Sequence, residues 1–107
     1  MAETTIGPRT RIQGRVTGRD VLVVDGEIHG TVEMDAPIRV RQDGRLEAEV
    51  LGPEVAIGGT ITGHVVGLKK VEILPGAKMI GDVRTPRILI SDGAVFRGRV
   101  DMDVGEG

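Results

Sequence analysis

His29 and His64 are the two histidines of the chain, and a pair of imidazoles is the usual beginning of a zinc site or of proton-transfer chemistry. Their surroundings argue against both. Each lies in a repeated segment, His29 one residue after Ile28 and His64 three residues after Ile61, so they sit at different repeat offsets and two repeats apart. Stacked at ordinary strand spacing they are roughly 12 Å from each other, too far to share a metal. Alternating acids such as Glu47 with Glu49, or Asp101 with Asp103, resemble the paired carboxylates of glycoside hydrolysis, which must be held about 5 to 10 Å apart in a cleft. No cleft is expected here. Gly58-Gly59 and the other Gly dipeptides are followed by nothing of helical period, so they lack the helix N-terminus that makes a phosphate loop. No catalytic, cofactor-binding or metal site is therefore assigned.

Charge narrows the partners further. Fourteen Lys and Arg against sixteen Asp and Glu leave a net charge of −2, which provides no overall attraction to nucleic acid or to anionic lipid. Locally, Arg9, Arg11, Arg15 and Arg19 against Glu3 give the first 19 residues +3, while Asp101, Asp103 and Glu106 give residues 100 to 107 −3. Zero cysteines remove disulfides and thiolate chemistry together. No apolar run approaches the ~18 residues of a membrane span, so the expected location is cytoplasmic, with any membrane association made through partners.

The elements that carry these residues are legible from composition. Fifteen Val, ten Ile and eight Thr outweigh six Ala and six Leu, and this excess of β-branched residues favours strands. With one Phe, no Tyr and no Trp, the interior must be narrow enough for aliphatic side chains to fill.

A five-residue pattern recurs six times: Ile12-x-Gly14-x-Val16, Ile28-x-Gly30-x-Val32, Leu46-x-Ala48-x-Val50, Ile61-x-Gly63-x-Val65, Met79-x-Gly81-x-Val83 and Phe96-x-Gly98-x-Val100. The starts are 16, 18, 15, 18 and 17 residues apart. From the second copy onward a short period-two strand precedes each: Leu22-x-Val24, Ile38-x-Val40, Val55-x-Ile57, Val71-x-Ile73 and Ile88-x-Ile90. Turn dipeptides separate the two, among them Asp25-Gly26, Gly58-Gly59, Pro75-Gly76 and Asp92-Gly93, read as positions of positive φ or preset turns.

Two short strands and two corners in ~17 residues cannot bury an apolar face alone, but they can as one winding of a stacked coil. The expected fold is all-β: a right-handed parallel β-helix, or solenoid, of about six windings with a triangular cross-section. Right-handedness follows from the unequal apolar intervals and corner insertions, which depart from the strict six-residue period of left-handed acyltransferase coils. At ~3.3 Å per residue the sides are roughly 18 Å, and six windings at ~4.8 Å rise about 29 Å. Residues 1–8 and 103–107 are expected to be flexible tails on a domain of residues 9–102. Strand alternation places the Gly14, Gly30, Ala48, Gly63, Gly81, Gly98 column inward, where converging walls would leave no room for more. Arg15, Thr31, Glu49, His64, Asp82 and Arg99 form an outward column of mixed charge.

The ends are the informative part. A solenoid exposes its lumen and unpaired backbone groups at both ends, and isolated monomers cover these with a helix or a polar winding. Neither is present in the pattern, since Ile12 and Val16 open the coil and Val95, Phe96, Val100 and Met102 close it. These six residues are the expected polymerisation interface, and the expected partner is another copy of the chain. One junction removes roughly 300 Å², worth about 7 to 8 kcal/mol before association costs of ~4 to 15 kcal/mol. Continuous hydrogen bonding between terminal windings must add to the apolar contribution.

The six Gly-x-Val windings, the charged walls and the closing stretch from Val83 through Pro86, Gly93, Phe96 and Gly98 to Met102 resemble the bactofilin family of bacterial cytoskeletal proteins across residues 6 to 102. The resemblance implies a right-handed β-helix that polymerises end to end, without nucleotide, into nonpolar filaments, with Phe96 as the polymer-critical aromatic of the last winding. It also implies a scaffold for cell-shape, cell-wall, polarity or chromosome-segregation proteins. Many members begin with an apolar membrane-targeting tail, whereas Met1-Ala2-Glu3-Thr4-Thr5 is polar, so direct membrane binding is not expected. The alternative reading is a solenoid enzyme of the acyltransferase or carbohydrate-active type, which would require a cleft lined by His or carboxylates.

Overall fold

The computed structural model describes residues 3–101, which form ten strands and no helix. The strands are β1 (Glu3–Ile6), β2 (Arg11–Gly18), β3 (Val21–Val24), β4 (Glu27–Met34), β5 (Ile38–Val40), β6 (Arg45–Ile57), β7 (Thr60–Ile73), β8 (Lys78–Arg84), β9 (Ile88–Ile90) and β10 (Val95–Asp101). All pairings are parallel, between one winding and the next. A long ladder stacks β2, β4, residues 45–52 of β6, residues 60–67 of β7, β8 and β10. A short ladder stacks β1, β3, β5, residues 55–57 of β6, residues 71–73 of β7 and β9. The molecule is a β-solenoid of six windings, as the repeat requires.

The columns follow the repeat position by position. Ile12, Ile28, Leu46, Ile61, Met79 and Phe96 are successive register partners, and so are Val16, Val32, Val50, Val65, Val83 and Val100. Together with Leu22, Ile38, Val55, Val71 and Ile88, and with Val24, Val40, Ile57, Ile73 and Ile90, they fill the lumen. Hydrogen bonding continues through the turns. Glu27 N–H donates to the Thr10 carbonyl, Arg45 to Gly26, Thr60 to Gly44, Lys78 to Gly59 and Val95 to Ala77, each at 2.9 to 3.0 Å.

Two expectations need correction. Residues 3–6 are not a free tail: they form β1 on β3, and Ile6 is buried in the core, because the first winding needs a short wall like every other. The solenoid thus begins before residue 9. The glycine column does not point into the lumen. Gly14, Gly30, Gly63, Gly81 and Gly98 have φ between 128° and 141°, the mirror of ordinary strand geometry, and kink the long ladder into two walls. A Cβ at Gly63 would stand 2.5 Å from the Ala48 carbonyl oxygen, and one at Gly30 or Gly81 would collide with the carbonyl of the glycine one winding earlier. Close approach of stacked backbones along the axis, rather than a narrowing lumen, excludes side chains there. Ala48 escapes because no non-glycine residue among those described has positive φ. The turn dipeptides divide between the two uses: positive φ occurs at Gly76 and Gly93 but not at Gly26 or Gly59, where a Cβ would instead strike the carbonyl oxygens of the winding before.

Candidate assembly interface

Each end of the solenoid presents two strand edges and a cross-section of the lumen. At the N-terminal end the edges are β1 and β2, each paired on one side only. Ile12 and Val16 are half-buried against the core, Ile6 is buried, and the exposed Thr4 occupies the column of Leu22. The C-terminal end is barer. Its edges are β9 and β10, and its lumen residues are Ile88, Ile90, Phe96 and Val100. Ile90 is 50% exposed and Val100 40%, whereas Ile73 and Val83, the same columns one winding earlier, are 0% and 1% exposed. Ile73 and Val83 have a further described winding stacked on them, and Ile90 and Val100 have none among the described residues.

Phe96 stacks on Met79 and packs against the core, with its outer side half-open. Of the six residues expected at the interface, Ile12, Val16, Phe96 and Val100 lie on lumen columns at the two ends. Val95 does not. It continues the outward column Arg11, Glu27, Arg45, Thr60, Lys78, so its exposure belongs to the wall beside the end face. Met102 lies outside the described residues. Ile88 and Ile90 were missed as end-face residues, although the Ile88-x-Ile90 motif placed them in the last winding.

The walls carry ion pairs between windings. Arg15 Nε donates to Glu33 at 3.2 Å, and this contact raises the Arg15 pKa above its ordinary value. His29 Nδ1 lies 3.4 Å from Glu47, and Arg41 lies 3.5 Å from Asp25. In the outward mixed-charge column His64 Nδ1 lies 3.6 Å from Asp82, both about half exposed. A shallow groove follows the glycine column, lined by Glu47, Glu49, Thr62, His64 and Asp82. It is the place a solenoid enzyme would use, yet its acid and imidazole groups stand in water, where such pairs contribute ~1 kcal/mol or less. Among the described residues no group of three or more His, Asp or Glu is placed to hold a metal ion.

Fold and ends together define a class: a parallel β-solenoid with aliphatic lumen, charged walls and, among the described residues, no helix over either end. Residues 4–101 match the bactofilin family model, described as polymer-forming cytoskeletal. The bactofilin BacO of Myxococcus xanthus is 40% identical over 99% of this chain and 84% of its own length. BacN of the same organism is 34% identical, over 92% of this chain and 88% of its own. BacP is 38% identical over 92% of this chain, which spans 41% of that longer relative. A cryo-EM reconstruction of Thermus thermophilus bactofilin double helical filaments superposes with a TM-score of 0.86 at 28% identity, covering 91% of this chain and 96% of that one. The chain belongs to the bactofilin family. No helix among the described residues is long and apolar enough to cross a membrane.

Proposed function

We propose that this bactofilin joins end to end through both faces of its solenoid, without nucleotide, into nonpolar filaments that serve as a scaffold for cell-shape, cell-wall, polarity or chromosome-segregation proteins. The carrying observation is the exposure of Ile90 and Val100 on columns that are buried from the second winding to the fifth, next to strand edges paired on one side only among the described residues. Stacking a second end on this one completes both the lumen and the ladders. Like-to-like joining is what the bactofilin resemblance implies, and the two faces differ: aliphatic at the C-terminal end, and at the N-terminal end polar at Thr4 beside the half-buried Ile12 and Val16. The family description and the filaments of the Thermus relative support the same reading. Negative-stain microscopy of purified protein in plain buffer, with and without ATP, GTP or a chelator, tests it. Filaments are expected in every condition, and a strict need for nucleotide or metal would overturn it.

A further inference from the structure

Arg97 and Arg99 of β10 are exposed on the outer wall and flank Gly98, the last member of the glycine column. Neither forms an ion pair with another described residue. Ile80 stands one winding beneath Arg97, and beneath Arg99 is Asp82, which lies 3.6 Å from His64. The backbone of β10 says which of its groups look outward from the end. Val95 N–H donates to the Ala77 carbonyl at 2.9 Å, and the Asp101 carbonyl accepts from Thr85 N–H at 3.0 Å, so odd-numbered residues of β10 point back at the winding before. Strand alternation leaves the N–H and C=O groups of Phe96, Gly98 and Val100 on the open edge.

When two C-terminal faces meet, β10 runs antiparallel to its copy, and the corner at Gly98, with φ of 141°, falls on the same corner of the second copy. Gly98 then faces Gly98, Phe96 faces Val100, and Arg97 faces Arg99 of the second copy, twice over. The first two are hydrogen-bonded pairs, and the arginines form the closer, non-hydrogen-bonded kind with Cα atoms about 4.5 Å apart. We propose that this joint is an oxyanion site, in which Arg97 and Arg99 of two copies hold one polyvalent anion of the phosphate class. The site rests on the end-joining reading and adds what regulates it. Facing arginines oppose the joint, and an anion between them replaces that opposition by bidentate, charge-assisted hydrogen bonds. Only the exposed Gly98 separates the two side chains, so no other side chain of β10 occupies the space between them. The nearby acids stand aside, since Asp101 faces Val95 of the second copy and Asp82 is beside His64. At the N-terminal end the same construction sets Gln13 against Arg15, which Glu33 already holds, so the anion acts on one of the two joints.

Pelleting of the full chain at low ionic strength, with sodium pyrophosphate or with sodium chloride matched in ionic strength, tests the site. Pyrophosphate is expected to lower the concentration at which filaments appear by about tenfold, and chloride by far less. Arg97→Gln and Arg99→Gln together are expected to remove the difference between the salts while filaments persist. Equal effects of the two salts on the native chain, or an undiminished pyrophosphate effect in the double variant, would overturn the site. The register is read separately, because the chain has no cysteine of its own. Chains carrying Arg97→Cys, mixed before assembly with chains carrying Arg99→Cys, are expected to cross-link as a mixed dimer under mild oxidation, since a separation of about 4.5 Å suits a disulfide. Arg97→Cys alone, about 7 to 8 Å from its own copy on the diagonal, is expected to stay uncrosslinked. Filaments without the mixed dimer would overturn the joint centred on Gly98 and the site with it. The mixed dimer with equal salt effects would overturn the anion site alone, and a native chain that forms no filaments in either salt would overturn end joining itself.

Discussion

Phe96 is half-buried in the last described winding, and on the end-joining reading it is the single position whose substitution is expected to affect assembly most. Phe96→Arg places a guanidinium where the junction would have to desolvate it, and an unpaired buried charge costs several kcal/mol, comparable with the whole apolar gain of one end. The coil should survive, since the arginine can turn to water, and circular dichroism should still report strand. With like-to-like joining the N-terminal faces still meet and light scattering should find dimers; head-to-tail joining would leave monomers. Long filaments from a folded Phe96→Arg protein would refute end stacking. The histidines belong to the opposite case. His29 and His64 pair with Glu47 and Asp82 on wet walls. His29→Gln and His64→Gln should each change stability by no more than about 0.5 kcal/mol and leave filament length unchanged by microscopy. Lost assembly in either would reveal a wall contact of another kind.

At the scale of the winding, the glycine column decides whether two walls can join. Gly14 and Gly81 share the same φ of 128°, but a Cβ at Gly14 meets nothing within 4 Å, while one at Gly81 collides with the Gly63 carbonyl. Gly14→Ala therefore isolates the backbone strain, about 1 to 3 kcal/mol, and Gly81→Ala adds the separation of two stacked backbones. Denaturant melts should rank Gly81→Ala well below Gly14→Ala, and equal losses would mean that φ alone demands glycine. Ala48→Gly, at the one column position without positive φ, should cost only about 0.5 to 1 kcal/mol. Alternation correctly assigned the residues on either side of this column and misassigned the column itself. Period two holds while the strand runs straight, and a corner breaks it without changing the spacing of Ile28 and Val32.

Taken whole, the molecule measures 37 × 30 × 24 Å, so its two ends are a large share of its surface and leaving them bare has a large effect. Fusing a folded domain to the C-terminus through a linker of two or three residues should shorten or abolish filaments, whereas a linker of about twenty flexible residues should spare them. Sedimentation distinguishes the two, and equal filament mass with the short linker would argue that the C-terminal face is not a junction. The repeat by itself determined the number of windings, the stacked columns and the aliphatic lumen, because identical local patterns every ~17 residues have few ways to bury their apolar faces except on one another. It also placed Phe96 and Val100 in the sixth copy of the pattern. Tertiary structure decided the rest. Residues 3–6 lack the apolar alternation of the other short strands, and only pairing with β3 makes them a wall. Val95 reads as apolar and terminal, but its register with Lys78 turns it outward. The bulge that exposes Leu68 comes from one residue opposing two across neighbouring windings, a relation between segments about fifteen residues apart that no single repeat contains.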